Sequence, residues 1–488
     1  MEDKPFQAPP TATQGLDALH EQQQRAAAAS VERLLRLLNA TAATPTHINA
    51  VTIVGANVTR PSFLETATSK LMGAKHVADV VNYSQDIGDK LQRLDIFDHV
   101  RVVLDRATDS DPLAAPDSVN VVYQVKEKSR FFIKTGTEIG NNEGNMNGSI
   151  TVRNCFGGAE TLESIASFGT RNSSAFQFAL SRPINADPDQ KIDINAHHVL
   201  QNNMLTSSYE ELARGTGLRY RGVSKYGYHE LSYDCTWRSI DKVAENASLS
   251  IRNQAGHTLK SSITHTFMRD MRDSLQLPTH GYYLKWSQEL SGIMGIGNAQ
   301  FFKTELQTQF LHQIGGGELL KDKETGEWLG VHPGVVLSLG LRGGLLADYS
   351  DNAKASIVSD KFMLGGPLSI RGFRNAGIGP RDYKDALGGS AYWAIGLSAM
   401  APLPGWESKP LRAHAFLNVG TLVPWETGMS MQDSVALLKQ SPSTSVGLGL
   451  IYQFSLARLE LNYCIPVTAA RGDQVRRGLQ LGIGIDFL

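Results

Sequence analysis

RGLQLGIGIDFL, residues 477–488, alternates between apolar positions and positions that carry glycine or a polar side chain. This period of two is typical of a β-strand with two different faces. One face carries Leu479, Leu481, Ile483, Ile485 and Phe487. The other carries Gln480, Gly482, Gly484 and Asp486. The segment therefore predicts a strand with an apolar surface on one side and a polar surface on the other.

The same alternation recurs through residues 128–488 in segments separated by turns. In RFFIKTGTEIG (130–140), one face is formed by Phe131, Ile133, Thr135, Thr137 and Ile139. Helix-like insertions are predicted only near residues 208–213 and 431–439. Sixteen candidate strands lie near residues 131, 147, 160, 174, 193, 229, 246, 259, 281, 299, 333, 390, 411, 446, 456 and 477.

The polar faces of these segments carry charged residues again and again, as in LRAHAFLNV (411–419). A packed core cannot accept such charges without partners, because each unpaired buried ion costs several kcal/mol. The conflict disappears if the apolar face meets lipid and the polar face lines a watery lumen. Lipid cannot satisfy an open sheet edge, so the sheet must close. The sequence thus predicts an all-β transmembrane barrel of about 16 antiparallel strands.

Composition excludes several other functions. The formal net charge of −1 gives no bulk field for binding nucleic acid. The three cysteines, Cys155, Cys235 and Cys464, are widely separated, which argues against a zinc site, a redox motif or a disulfide framework. We find no nucleophile–base pair and no metal-ligand cluster, so we expect no catalytic residues, no metal, no cofactor and no enzymatic activity. The N-terminal MEDKPFQAPPTATQ lacks the apolar core of a secretory signal peptide.

Residues 46–127 predict a small α+β domain. INAVTIVG (48–55) is strand-like, two helical stretches follow, and the strand-like HVRVVLD (99–105) and SVNVVYQVKE (118–127) complete the unit. This order resembles a POTRA domain, and that resemblance implies that Phe97 is a core residue. Residues 1–45 are expected to form an N-terminal arm that is partly helical or disordered.

LGGPLSIRGFRNAGIGPRD (364–382) belongs to a glycine-rich loop, residues 345–387, between the eleventh and twelfth predicted strands. SIRGF (369–373) in that place, with a POTRA-like domain before a 16-stranded barrel (128–488), is a specific combination. It resembles the superfamily of BamA-type outer-membrane β-barrel assembly factors over residues 46–488. A single POTRA-like domain is most similar to the mitochondrial branch, in the sorting and assembly machinery.

The resemblance implies a membrane-protein insertase that folds and inserts β-barrel precursors into the mitochondrial outer membrane. The partners it implies are β-barrel precursors, other subunits of the sorting and assembly machinery (SAM complex) and the lipid bilayer, with no nucleic acid. An even number of strands returns both chain ends to one face, which predicts that the POTRA-like domain lies in the intermembrane space. The alternative is a protein-translocating or solute channel with the same barrel.

The mechanism implied for an insertase is a lateral gate between the first and last barrel strands. An edge strand presents unpaired donors and acceptors to a new strand. The first strand supplies Phe131, Ile133, Thr135, Thr137 and Ile139, and the last supplies Gln480, Gly482, Ile483, Gly484, Ile485 and Phe487. The last strand also fits the family's client signal, polar-x-Gly-x-x-apolar-x-apolar. Gly482 and Gly484 either weaken this strand or allow close packing at the lumen.

The tetrapeptide Ile370-Arg371-Gly372-Phe373 is expected to act as a structural latch. If the loop folds back into the lumen, Arg371 needs an inward-facing carboxylate, and strand parity offers Glu460 and Asp486. Asp486 lies near a strand end, which favours Glu460. Phe373 would pack against residues of the lumen wall. The alternative is an ordinary solvated loop.

Overall fold

The computed structural model describes the greater part of the chain, and the chain divides into two compact units. One unit runs up to Ser129 and includes the turns Asn154–Ala159 and Asn185–Pro188, and the other contains the remaining residues. Most of the predicted N-terminal arm lies outside the described residues. The described residues are 33, 36, 40–107, 115, 117–140, 143–170, 173–275, 277–316, 319–321, 328–331, 334–349, 356–406, 410–424, 436–439, 442–454, 457–484 and 487–488.

The first unit is a three-stranded sheet packed against two helices. Its elements are β1 (His47–Val54), α1 (Pro61–Thr68), a 3₁₀ turn (Ser69–Gly73), α2 (Val77–Arg93), β2 (Phe97–Arg106) and β3 (Ser118–Glu127). β3 is central, parallel to β1 and antiparallel to β2. Pro61 opens α1 at a position where no backbone donor is needed. The order of elements is the one predicted for a POTRA-like domain.

The core of this unit lies between the helices and the sheet. Its fully buried side chains are Leu71, Leu91, Phe97, Val121 and Tyr123. The predicted core position of Phe97 is therefore confirmed. Gly55 follows directly after β1 with a φ of 99°, and a side chain there would collide with the Val125 carbonyl.

The second unit is dominated by one large antiparallel sheet. Its strands in chain order are β4 (Phe131–Gly140), β5 (Glu143–Arg153), β6 (Thr161–Gly169), β7 (Ser174–Ile184), β8 (Asp187–Asn202), β9 (Tyr209–Ser224), β10 (Gly227–Val243), β11 (Gly256–Asp270), β12 (Gly281–Ser291), β13 (Phe301–Ile314), β14 (Leu319–Lys321), β15 (Trp328–Val331), β16 (Val335–Asp348), β17 (Arg381–Asp382), β18 (Asp385–Ala386), β19 (Ala391–Pro402), β20 (Leu411–Val423), β21 (Ser443–Phe454), β22 (Ala457–Thr468) and β23 (Gly478–Gly484). Sixteen of them, all except the hairpins β14–β15 and β17–β18, form this sheet in sequential order from β4 to β23. The predicted 16-stranded barrel is confirmed.

Two local predictions within the barrel were wrong. Residues 208–213 were expected to be helix-like, but Tyr209 begins strand β9, which pairs with β8 and β10. The strand expected near residue 246 does not form, because a short helix α3 (Leu249–Arg252) occupies the connection between β10 and β11. Glu-Glu-Leu-Ala at 210–213 favours a helix locally. Pairing with strands on both sides outweighs that preference.

The two faces of the large sheet differ as the alternation predicts. Leu479 and Leu481 are exposed on the outer face, whereas Gln480 between them is buried. Charged residues on the inner face pair with one another, for example Arg221 with Asp193 at 2.6 Å and Lys260 with Glu289 at 2.6 Å. A buried ion needs a partner of opposite charge, and these pairs supply it. In the described part of the chain, no helix has the length and apolar character needed to cross a membrane.

Residues 349–390, which connect β16 to β19 and contain Arg371, are called the RGF loop below. Apart from Tyr349, the described part of this loop begins at Ser356 and ends in the hairpin β17–β18 followed by the start of β19. It folds against the inner face of the large sheet and contributes Phe362, Leu364, Ile370, Phe373 and Ile378 to a buried apolar cluster. The loop therefore occupies the lumen, which brings its charged side chains to the barrel wall.

Candidate functional site: the RGF loop and the seam

The guanidinium group of Arg371 is the centre of the contacts between the loop and the wall. Its side chain is 1% exposed, and its Nε and Nη2 atoms each lie 2.9 Å from Oε2 of Glu460 on β22. Nη1 donates to the Asn418 side chain on β20 at 3.2 Å and to the Leu488 carbonyl at 3.0 Å. Asp486, the other candidate partner, lies outside the described residues. One side chain thus joins three segments of the wall.

Glu460 is itself completely buried and receives a second cation. Arg458 on the same strand pairs with its other oxygen, Oε1. The ring of Phe416 lies 5.1 Å from the Arg371 guanidinium, and the ring of Phe487 lies 5.6 Å from it. Aromatic faces attract guanidinium groups, so the rings stabilise a charge that water cannot reach. The site is an electrostatic anchor and contains no nucleophile–base arrangement among its described residues.

Phe487 occupies a place that the sequence pattern did not predict. Alternation puts it on the outer face with Leu479 and Leu481, but its ring is buried beside Arg371 and 4.8 Å from the Arg458 guanidinium. β23 ends at Gly484, and Ile485 lies outside the described residues. The outward assignment of Phe487 was therefore wrong. On the lumen side the ring contacts the guanidinium groups of Arg371 and Arg458. These cation–π contacts stabilise the ring more than a position on the outer face would.

Gly372 and Phe373 pack the loop against the barrel wall. Gly372 has a φ of 82°, a left-handed conformation that favours glycine. A Cβ at this position would lie 3.1 Å from the Ser445 Cβ. The side chain of Phe373 is fully buried in the loop cluster with Ile370, which is also buried. The tetrapeptide therefore combines a polar anchor with an apolar one.

Sequence reasoning missed a second anchor, at Asp360 on the opposite wall. Its carboxylate lies 2.8 Å from Nη1 of Arg238 on β10 and 3.1 Å from Nζ of Lys260 on β11. Lys303 on β13 donates to the Asp360 carbonyl at 2.7 Å. Asp360 and Arg238 are both buried. The only sequence signal was the charged residues facing the lumen, because alternation cannot say which of them meet across it.

A third set of contacts fixes the hairpin β17–β18 to neighbouring connections. The buried carboxylate of Asp385 accepts hydrogen bonds from the Ser208 hydroxyl at 2.5 Å and from the Ser248 amide at 2.7 Å. The Ala386 amide donates to the Thr206 carbonyl at 2.9 Å. No sequence pattern indicated these contacts, since they depend on the fold of three separate connections. The RGF loop is thus held at three places around the barrel.

The seam, defined as the junction between β4 and β23, differs from every other junction in the sheet. These strands are the two ends of the sheet order, and their Cα atoms approach within 8 Å. Within the described residues, however, no backbone ladder joins them. The side chains of residues 131–137 are exposed on both faces of β4, with Phe131 at 68% and Ile133 at 69%. Thr135 and Thr137 share this exposure, and Ile139 lies further along the same strand.

No site for a metal ion is found in the described residues, since no group of three or more His, Cys, Asp or Glu side chains is arranged to hold one. The described contacts of the RGF loop are ion pairs, hydrogen bonds and apolar packing. Such contacts hold the loop against the strands of the barrel wall.

Together these features define a class: a 16-stranded transmembrane β-barrel with an arginine-anchored loop in its lumen, preceded by a small α+β domain. The model of the Omp85 superfamily domain matches residues 154–487. A SAM50-like protein of Schizosaccharomyces pombe is 35% identical over 97% of both chains. The sorting and assembly machinery component 50 homologues of Xenopus tropicalis and Homo sapiens are 33% and 34% identical, over 90% and 85% of both chains respectively.

The chain belongs to the Omp85 superfamily and, within it, to the family of sorting and assembly machinery component 50. This confirms the resemblance predicted from the sequence. Among solved structures, BamA from Haemophilus ducreyi lacking POTRA domains 1–3 has the same fold, with a TM-score of 0.70. That structure is 17% identical, and the alignment covers 90% of this chain and 84% of that one.

Proposed function

We propose that this protein inserts β-barrel precursors into the mitochondrial outer membrane through a lateral gate at the seam. The observation that carries the proposal is the state of β4, which is exposed on both faces and has no described ladder to β23. A strand in that state offers a row of backbone donors and acceptors to an incoming strand. The names of its relatives, components of a sorting and assembly machinery, support this function.

In this mechanism the terminal strand of a precursor pairs with β4, and later hairpins enter through the widening seam. The precursors and other subunits of the sorting and assembly machinery are the expected partners. The RGF loop holds β20 and β22 in register during this opening, because Arg371 joins Asn418 and Glu460. An even strand number returns both ends of the barrel to one face of the membrane, and we propose that this face, which carries the α+β domain, is the side of the intermembrane space.

The test is to lock the seam. Thr135→Cys and Ile483→Cys are combined in a chain whose three native cysteines are replaced by alanine, and the pair is joined by oxidation or by a short bismaleimide. We expect the locked barrel to stay folded and to stop inserting radiolabelled barrel precursors, with recovery after reduction of the disulfide. Full insertion by the locked protein would contradict the gate.

A matched control uses a junction that is already closed. Thr266 on β11 and Ser287 on β12 are paired in the ladder, and their hydroxyl groups lie 3.4 Å apart. The double cysteine variant at these positions should form the same crosslink and leave insertion unchanged. Depleting the protein distinguishes an insertase from a channel of the same architecture, since precursors stall in the first case and assemble normally in the second.

A further inference from the structure

Arg214 is a charged residue on the lipid-facing side of the barrel wall. It lies on β9, where the outward side chains include the exposed Leu218 and Tyr220. Arg214 has the same parity as these residues and is exposed as well. The inward positions hold Arg219 and Arg221, whose charges are paired with carboxylates on other strands. A cation on the outer face of a transmembrane barrel is unfavourable unless it reaches the interface. Arg214 therefore needs an anionic partner.

The part of the chain that the structure describes does not supply such a partner. No ion pair or hydrogen bond of the Arg214 side chain is found there, and its guanidinium group lies 5.8 Å from the ring of Trp237 on β10. Arg182, another exposed arginine with outward parity, on β7, differs because it pairs with Glu160 at 3.9 Å. A guanidinium group carries five N–H donors and no acceptor. The donors of Arg214 are therefore available to a ligand outside the chain.

Two histidines belong to the same row of outward side chains. His198 on β8 and Trp237 on β10 are the cross-strand partners of Arg214, so both side chains lie beside it on one face. His257 on β11 stacks on Trp237, with ring centroids 5.0 Å apart and an angle of 21° between the rings. At the other end of the row, the ring of Phe176 on β7 lies 6.2 Å from the His198 ring. The row thus presents one guanidinium group and two imidazoles among aromatic rings.

The row lies close to one edge of the outer apolar band. Leu212 is the next outward residue of β9 toward the β8–β9 connection, and the pair of Lys242 and Glu210, 3.0 Å apart, follows just beyond it. In the opposite direction Thr216 leads from Arg214 into the apolar band. Tryptophan is enriched at this depth, and a long arginine side chain reaches the headgroup region by extending along apolar surface. The guanidinium group can therefore meet lipid phosphates.

We propose that Arg214, His198 and His257 form a binding site for the phosphate group of an anionic phospholipid, in the leaflet on the side of the β8–β9 connection. Arg214 donates to the phosphate oxygens, and the two imidazoles offer ring N–H groups on either side. The described side chains of the row include no carboxylate for a headgroup ammonium, so a zwitterionic lipid fits less well. A bilayer with anionic lipids supplies this ligand at this depth. The inference goes beyond the proposed function and does not depend on the gate.

The first experiment measures which lipid lies against the row. Thr216→p-benzoylphenylalanine puts a photoreactive ring at the outward position next to Arg214, in the purified full-length protein in nanodiscs of phosphatidylcholine with a minor fraction of phosphatidylglycerol. Phosphatidylglycerol should make up a several-fold larger share of the lipid adducts than of the bilayer. Leu448→p-benzoylphenylalanine is the matched control, because Leu448 is 69% exposed on β21, far from β9 in the sheet. Its adducts should have the composition of the bilayer.

The second experiment removes the guanidinium group. In Arg214→Gln, native mass spectrometry should show the preference for phosphatidylglycerol over phosphatidylcholine falling by about tenfold, the factor for one charge-assisted hydrogen bond. Arg214→Lys keeps the charge without the planar fork and should retain part of the preference. Arg182→Gln removes an arginine that already has a carboxylate partner and should leave the preference unchanged.

Three outcomes would overturn the site. The first is an equal share of phosphatidylglycerol in the adducts at positions 216 and 448, and this comparison stands even if Arg214→Gln fails to fold. The second is an equal loss of preference in Arg214→Gln and Arg182→Gln, which would assign the preference to overall charge. The third is a protein adduct at position 216 in intact mitochondria without lipid enrichment in nanodiscs, which would make the row a contact for a protein partner.

Discussion

Arg371 joins Glu460, Asn418 and the Leu488 carbonyl through one guanidinium group, and none of these partners has access to bulk water. Removing the guanidinium leaves the buried Glu460 carboxylate with one described cation, Arg458, and a hydrogen bond from the Asn462 side chain. Breaking a buried pair in this way costs about 3–5 kcal/mol. We therefore expect Arg371→Ala to lower the apparent free energy of unfolding of the barrel by about that amount. Urea titration in lipid nanodiscs measures it.

The effects of the charge and of the shape of Arg371 on the stability of the barrel can be measured separately. Arg371→Lys keeps a cation near Glu460 but loses the planar fork that reaches three partners, so an intermediate loss is expected. Arg374→Ala removes an exposed arginine from the same loop and should change the stability little. Equal stability of Arg371→Ala and Arg374→Ala would contradict the anchor.

Glu127 in the first unit predicts a pH effect that is independent of the barrel. Burial alone would raise its pKa, but hydrogen bonds from Thr59, Val58 and Asn57 outweigh this and hold the pKa below its ordinary 4.5. A carboxylate with a depressed pKa contributes stability above its unfolded pKa and loses it as the pH falls through the folded value. The segment 57–59 should therefore loosen below about pH 4.5.

Amide exchange of residues 57–59 in the full-length protein, corrected for the intrinsic rate at each pH, measures this effect. In Glu127→Gln the neutral amide cannot titrate, so the corrected exchange should be faster at neutral pH and should not rise further on acidification. A wild-type protein whose corrected exchange is flat across this range would rule out the carboxylate as the cause.

At the scale of elements, the RGF loop is a brace between two walls of the barrel. Asp360 holds it to β10 and β11, and Arg371 holds it to β20 and β22. Asp360→Asn keeps the shape of the side chain but leaves Arg238 and Lys260 without a carboxylate from the loop. Because uncompensated buried charge is expensive, we expect a loss of about 3–5 kcal/mol.

Limited proteolysis of the loop around residues 356–364 is the measurement for this second anchor. Faster cleavage in Asp360→Asn is expected, because the loop is released from β10 and β11 while Arg371 remains in place. Met363→Ala, three residues away at an exposed position, serves as the control and should be cleaved at the wild-type rate. If both variants are cleaved at the wild-type rate, the loop does not depend on Asp360.

At the scale of the whole molecule, alternation predicted the barrel because it reports a local property that lipid and lumen impose on every strand. The alternation did not predict strand β9, because its first residues are good helix formers and its inner face carries Glu211, Arg219 and Arg221. Those charges are tolerated through partners on other strands, such as Asp193 and Glu230. A single segment does not contain that information.

The candidate site was predictable in part for the same reason. Strand parity could indicate that Glu460 faces the lumen, and a buried arginine needs a carboxylate. It could not reveal Asp360, whose partners come from three strands far away in the sequence. Nor could it reveal the inward turn of Phe487, which depends on the two arginines beside it. Contacts across a lumen depend on closure, and closure is a property of the complete sheet.

Closure with sixteen strands also fixes which connections share a face of the membrane, and this leads to a final prediction. The RGF loop follows the eleventh strand, whereas the β9–β10 turn follows the sixth, so the two lie on opposite faces. Tyr383 at the tip of hairpin β17–β18 is 93% exposed, and Tyr226 in the β9–β10 turn is also exposed.

In a chain without its native cysteines, Tyr383→Cys should react with a membrane-impermeant maleimide in intact mitochondria. Tyr226→Cys should react only after the outer membrane is opened. Labelling of both residues in intact mitochondria would contradict the strand parity, and the reverse pattern would place the α+β domain in the cytosol.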